Sequence, residues 1–167
     1  GIVRRAGKDV TLLATSYMLS EAIKAAVSLE KDGIDVEIID PRSLKPLDEE
    51  LLLQSVKKTG RLIITDAGWK TGGVGAELAA LVAEKAFSHL KAPIVRVSLP
   101  DAPAPASSAL EKVYYPDSYR DGGLIADKTI THLYKEFDHK GRPLPHHHHI
   151  PLVQYRDTID ELDFGEP

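Results

Sequence analysis

The chain has 167 residues, of which 43% are hydrophobic and 28% charged, and this balance fits one globular domain with an apolar core. A formal net charge of -4 argues against a general nucleic-acid binder, whose contact face is strongly basic. No apolar run approaches the roughly 18–20 residues that span a bilayer, so neither nucleic acid nor membrane is an expected partner.

The elements follow from periodicity. Val10 to Thr15 is a compact apolar run and reads as a buried strand. Ala22, Ile23, Ala25, Ala26, Val27 and Leu29 then recur at helical spacing, with Glu21, Lys24 and Glu30 assigned to the opposite face and Gly33 as the stop. Val36 to Asp40 is the next strand, and Pro41 and Pro46 bracket a turn. The helix after it has Asp48, Glu49 and Glu50 at its start, Lys57 and Lys58 in its last turn, and Gly60 just beyond, so both ends complement the helix dipole. Leu62 to Thr65 is a third strand. A Gly-rich loop from Gly68 to Gly75 feeds a helix carrying Leu78, Leu81, Val82 and Phe87, which Pro93 stops. Ile94 to Val97 is a fourth strand, residues 100–118 read as an ordered surface loop, and Ile125 to Phe137 as a last helix.

Strands alternating with helices imply βαβ units, with parallel strands and right-handed crossovers. The strands are short and largely apolar, as expected where helices cover both faces of the sheet. The predicted fold is therefore α/β, a three-layer α/β/α sandwich. Ile2 to Arg5 adds an edge strand, and its short link to Val10 is too brief for a helical crossover. The domain is expected over residues 1–138. From 139 to 167 a linker, Lys140 to Pro145, leads to four histidines and a mixed polar and apolar tail from Tyr155 to Phe164. That tail reads either as an arm on a neighbouring subunit or as a segment disordered in solution.

No signal peptide is read at the start, because Gly1-Ile2-Val3-Arg4-Arg5 leads straight into strand-like sequence. The opening glycine suggests that more protein precedes it. The chain contains no cysteine, which excludes disulfides and thiol catalysis and is compatible with a reducing compartment.

Each candidate site has a bland reading beside the chemical one. The Gly72-Gly73-Val74-Gly75 loop follows a strand and opens a helix, a place where backbone N–H groups can bind an anion. It lacks the Gly-Lys-Ser/Thr of a phosphate loop and a full dinucleotide fingerprint, so a tight turn with close packing is the preferred reading. Asp66 and Glu77 could form a general acid–base pair at the carboxyl end of the sheet. No nucleophile or metal set accompanies them, and helix capping or an interdomain hydrogen bond is preferred. Trp69, the only tryptophan, suits an interface anchor or a core plug equally. His146, His147, His148 and His149 could hold Ni²⁺ or Zn²⁺, but consecutive histidines between prolines rarely preorganise a tetrahedral site, and an adventitious contact is preferred. His89 reads as a surface residue and His132 as a helix residue. Ser16 lacks the G-x-S-x-G context of a nucleophile and suits a helix N-cap.

Three blocks then carry a resemblance. They are Ile38-Ile39-Asp40-Pro41-Arg42-Ser43-Leu44-Lys45-Pro46-Leu47-Asp48, then Ile63 to Trp69 with Gly72 to Glu77, and then Ala92 to Val97 with Pro100-Asp101-Ala102-Pro103. In this order they resemble the C-terminal domain of the transketolase-like superfamily. Within it they are most similar to the β subunits, or fused forms, of the E1 component of pyruvate and branched-chain 2-oxo acid dehydrogenases. Lys70-Thr71-Gly72-Gly73 and Tyr115-Pro116-Asp117 lean toward the branched-chain side.

The resemblance implies a five-stranded, mostly parallel sheet with an antiparallel first strand. It implies an enzyme that decarboxylates a 2-oxo acid on thiamine diphosphate with Mg²⁺ and passes the acyl group to a lipoyl carrier. That cofactor sits elsewhere in the full-length enzyme, so this part is expected to bind none and to have no catalytic residue. Implied partners are the E1 α half or preceding domains, a second E1 β protomer and the lipoyl acyltransferase, E2. Interface candidates are Asp66, Trp69, Gly72, Gly73, Glu77, Lys91 and Asp101. Relatives that dock E2 often carry an acid before the Ala-Pro pair; here the residue is Lys91, which a basic binding module would meet with repulsion. Two rivals stand beside this reading: a transketolase or deoxyxylulose-phosphate synthase domain, and a free-standing nucleotide- or anion-binding module built on the Gly72–Gly75 loop.

Overall fold

A computed structural model describes residues 1–115. Strand β1 (Ile2–Arg5) is followed by β2 (Val10–Ala14), helix α1 (Met18–Lys31), β3 (Val36–Asp40), α2 (Glu49–Thr59), β4 (Leu62–Trp69), α3 (Val74–Ala86), a 3₁₀ turn (Phe87–His89), β5 (Val95–Leu99) and α4 (Ser108–Tyr114). The five strands form one sheet in the order β1-β3-β2-β4-β5. β2, β3, β4 and β5 run parallel to their neighbours, whereas β1 pairs antiparallel with β3, setting Ile2 opposite Asp40 and Val3 opposite Ile39.

Two apolar clusters fill the space on either face. On one, Met18, Ala22, Ala25, Ala26 and Leu29 of α1 pack on Leu12, Val36, Ile38, Ile63 and Val97. On the other, Leu52 and Val56 of α2 and Leu78, Val82 and Ala86 of α3 pack on Leu13, Leu62 and Ile64. Adjacent residues Leu12 and Leu13 thus point to opposite layers, as the period of a strand requires. The predicted three-layer sandwich and its antiparallel edge strand are both present.

Helix α2 follows its end signals. The Asp48 side chain accepts a hydrogen bond from the Leu51 amide, Glu49 and Glu50 lie in the first turn, and Gly60 ends the helix in the left-handed conformation at φ 74°.

Several expectations are corrected. Ile23 and Val27 are 45% and 51% exposed, because the stripe through Ala22, Ala25, Ala26 and Leu29 already turns α1's narrow inner face to the sheet. Glu21, expected outside, falls beside that stripe and is buried, with Lys24 Nζ 2.7 Å from its carboxylate. β4 does not end at Thr65 but runs to Trp69, because β5 supplies a pairing partner as far as Leu99, with an irregularity between Thr65 and Trp69. Helix α3 ends at Ala86, before Pro93, and Phe87 in the tighter turn is 74% exposed rather than packed. The stretch expected as loop contains α4. Ser16 does not cap α1: it adopts φ 48°, and Tyr17 takes the N-cap position without a side-chain hydrogen bond. The expected last helix, the linker, the tail, His132 and His146 to His149 lie outside the described residues.

Candidate functional site

Chemistry-bearing side chains gather where the parallel strands end. The chain leaves β2 for α1 on one face and leaves β3 and β4 for helices on the other. Diverging loops of this kind open crevices at the carboxyl edge of an α/β sheet. Two hollows lie along this edge, one on each side of the sheet's centre.

The first, about 390 Å³, lies at the end of β4 and β5 and is lined by Trp69, Thr71, Asp101, Ala102 and Pro103. Trp69 is 59% exposed, so of its two readings the core plug is removed. Its indole Nε1 faces the Tyr114 hydroxyl at 3.4 Å, and that hydroxyl donates to the Ala102 carbonyl at 2.8 Å. Asp101 accepts from the Thr71 amide at 3.0 Å and from the Thr71 hydroxyl at 2.5 Å. Those hydrogen bonds from Thr71, side chain first, hold the Asp101 carboxyl below the usual carboxylate range, with Lys70 and Arg96 adding positive charge nearby. Arg96 in turn donates to the Lys70 carbonyl. The loop is thus fastened to the segment after β5 at several points.

The glycines of this loop act through geometry. A Cβ on Gly73 would fall 2.1 Å from the Trp69 carbonyl oxygen, so the backbone passes through space that any side chain would occupy. Gly72 adopts φ 68°, a left-handed conformation that glycine takes at no steric cost. Glu77 is exposed in the first turn of α3, where its charge complements the helix dipole. Asp66 instead accepts a 2.6 Å hydrogen bond from the Thr15 hydroxyl, tying the end of β4 to the end of β2. Among the described residues no hydrogen bond joins Asp66 to Glu77. Lys91 lies at the opposite end of the sheet: its stem covers Gly60 and its amide donates to the Gly60 carbonyl at 2.7 Å. His89 is exposed, in agreement with its reading as a surface residue.

The second hollow, about 430 Å³, lies between the ends of β2 and β3 and is lined by Arg4, Thr15, Ser16, Leu19, Asp40, Pro41, Arg42, Ser43 and Leu44. Arg4 donates to Asp40 Oδ2 through Nε at 3.1 Å and Nη2 at 2.7 Å, and the Arg42 amide donates to Asp40 Oδ1 at 3.0 Å. Burial by itself raises the Asp40 pKa, but the Arg4 hydrogen bonds, the Arg42 amide and the two guanidinium charges outweigh it and hold the carboxyl below its ordinary value. Sequence reasoning takes Asp40 and Arg42 as part of a signature and misses the cluster. Arg4 is 36 positions away from Asp40, and only the antiparallel pairing of β1 brings it in.

Each hollow is lined by one carboxylate, Asp40 in one and Asp101 in the other, and both are already engaged by hydrogen bonds within the chain. Among the described residues no group of three His, Cys, Asp or Glu side chains could hold a metal ion, so no chemical step is assigned through thiamine diphosphate and its metal here.

Comparison with known proteins agrees with this architecture. The family description "Transketolase, C-terminal domain" matches residues 1–120. The pyruvate dehydrogenase E1 component subunit beta of Rhizobium meliloti is 44% identical over 115 residues, covering 69% of this chain and 25% of that protein. A Bacillus subtilis protein, the acetoin:2,6-dichlorophenolindophenol oxidoreductase subunit beta, is 45% identical over 114 residues, covering 68% of this chain and 33% of its own length. A solved structure described as a split gene transketolase, an inactive beta4 tetramer, superposes with a TM-score of 0.62 at 33% identity, covering 70% of this chain and 38% of that one. The chain thus spans only about a quarter to a third of the curated relatives it matches. With the family description covering most of the chain and a matching fold beneath it, the chain belongs to the transketolase C-terminal domain family.

Proposed function

We propose that this chain is the C-terminal assembly domain of the β-type half of a thiamine-diphosphate-dependent 2-oxo acid dehydrogenase E1 component. In this reading the intact enzyme decarboxylates a 2-oxo acid with thiamine diphosphate and Mg²⁺ held by other domains. The acyl group passes to a lipoyl carrier, and residues 1–138 contribute contact surface without chemistry of their own. The reading rests on the similarity to β subunits of pyruvate and acetoin enzymes over the same residues.

The observation that carries the assembly role is Trp69. A large aromatic exposed on a loop that is clamped through Thr71–Asp101 has little conformational entropy left to lose, which is the property of an interface anchor. Its partner in this reading is the E1 α half, a preceding domain or a second β protomer. The enzyme works in the cytoplasm or the mitochondrial matrix. Lys91, with its stem laid over Gly60, stands where relatives that dock E2 often carry an acid, so the usual docking mode of E2 is not proposed at this position.

The test joins the domain to its upstream β portion and an α subunit and follows 2-oxo acid-dependent acylation of a lipoyl domain. The expected result is activity in the assembled enzyme, with weaker assembly and lower activity at limiting subunit concentration on Trp69→Ala. Decarboxylation by residues 1–167 alone would overturn the proposal.

A further inference from the structure

The hollow between β2 and β3 has the makings of a ligand site of its own. Its size lies within the range of small-molecule pockets, which are roughly 300–1,000 Å³. Its charge is unbalanced: the guanidinium groups of Arg4 and Arg42 face a single carboxylate, that of Asp40, which leaves one positive charge. The two arginines are not equivalent. Arg4 spends two donors on Asp40 Oδ2. Arg42 Nη1 stands 3.8 Å from the same oxygen, beyond hydrogen-bond reach, and its side chain is 59% exposed. Arg42 therefore keeps its planar fork of donors for something else, and that fork matches a carboxylate.

Backbone and wall chemistry add to this. Arg42 is a non-glycine residue at φ 62°, held there by the Asp40 carboxylate through its amide, and Ser16 across the hollow is another at φ 48°. Left-handed conformations at non-glycine residues are costly and persist only where surrounding contacts over-determine them. Beside these polar groups Leu19, Pro41 and Leu44 form an apolar wall, with Leu44 itself 48% exposed. One uncompensated positive charge next to an apolar wall suits a monoanion carrying a short hydrocarbon portion, and suits inorganic phosphate less well.

We propose that this hollow binds a small organic monocarboxylate, with its carboxylate on Arg42 and its hydrocarbon portion against Leu19, Pro41 and Leu44. The proposal is independent of the assembly role assigned to the Trp69 loop.

The experiment follows backbone amide shifts of the full chain at low ionic strength while butyrate, 2-oxobutyrate or inorganic phosphate is added. Expected are saturable shifts at Ser16, Arg42, Ser43 and Leu44 with the two carboxylates, and weaker binding of phosphate. Arg42→Asn keeps a residue that tolerates the left-handed conformation while removing the guanidinium. It should weaken carboxylate binding by about tenfold or more, the scale of one charge-assisted hydrogen bond, with the rest of the spectrum unchanged. Shifts that never saturate would mean adventitious ion binding only and would overturn the proposal. So would equal binding of phosphate and butyrate, or unchanged affinity in the Arg42→Asn chain.

Discussion

Glu37 of β3 and Lys58 of α2 form an ion pair that is buried on its acidic side and open on its basic side. The carboxylate also accepts from the Ser55 hydroxyl and the Gly7 amide, and Ser55 continues the chain of hydrogen bonds to Thr11 at 2.7 Å. Thr11 meets Thr59 at 2.8 Å, so two strands and α2 share one polar network inside the layer. Burial pushes the Glu37 carboxyl up, but Lys58, Ser55 and Gly7 together hold it below its ordinary value of 4.5.

A folded pKa below the unfolded one means that the unfolded chain takes up the proton first as pH falls. Stability from Glu37 is therefore fully present above about pH 4.5 and is lost as pH drops through the lower folded value. Asp40 acts in the same direction. The expected outcome is a stability that holds from neutral pH down to about 4.5 and falls below it, and Glu37→Gln should make that acid limb shallower. At neutral pH the same substitution should cost about 1–3 kcal/mol, because Ser55 and Lys58 lose their charged acceptor. Urea unfolding of both proteins at a series of pH values checks both statements.

Gly60 is constrained twice. It ends α2 at φ 74°, and a Cβ there would sit 2.7 Å from Lys91 Cδ. Gly60→Ala should lower stability by about 1–2 kcal/mol from the left-handed conformation alone. The clash is with a flexible side chain, so Gly60→Ala in a Lys91→Ala background should cost less than in the parent. Thermal melts of the two singles and the double measure the coupling.

These two sites show why part of the molecule is legible in the sequence and part is not. Asp48 and Gly60 announce α2 because capping uses residues adjacent in the chain. The sandwich follows from runs such as Val10 to Ala14, whose apolar character depends only on being covered on both faces. Glu21 is misplaced by sequence reasoning because an acidic residue is assigned to solvent by default, whereas its burial depends on what packs over α1's edge. The extension of β4 to Trp69 depends on pairing with Leu99, and the Arg4–Asp40–Arg42 cluster on the return of β1. Both are contacts between distant positions that no local periodicity encodes. The exposure of Trp69 belongs to the same class, since the sequence leaves anchor and core plug open.

Gly72 and Gly73 should respond differently to alanine although they are neighbours. Gly72 has left-handed φ but nothing within 4 Å of the position a Cβ would take, so Gly72→Ala should cost about 1–2 kcal/mol of conformational strain. Gly73 has ordinary extended angles, yet its Cβ would overlap the Trp69 carbonyl. A clash with backbone cannot be relieved by a rotamer change, so Gly73→Ala should displace the loop and destabilise the domain more than Gly72→Ala. Intrinsic fluorescence reports the displacement directly, because Trp69 is the only tryptophan.

Trp69→Ala separates interface from core. The side chain is 59% exposed and its Nε1 contact with Tyr114 is long, so removing it should change unfolding stability by no more than about 0.5 kcal/mol. In the assembled enzyme the same substitution should weaken subunit association by about 2 kcal/mol or more, the scale of an aromatic hot spot. Analytical ultracentrifugation of the reconstituted complex reads the second quantity and urea unfolding of this chain the first. A stability loss of several kcal/mol without an effect on association would return Trp69 to a packing role. Because the Thr71–Asp101 clasp fixes the loop independently of the indole, Asp101→Ala offers a second probe of the same surface. It should weaken association while leaving Trp69 in place, by releasing the loop that presents it.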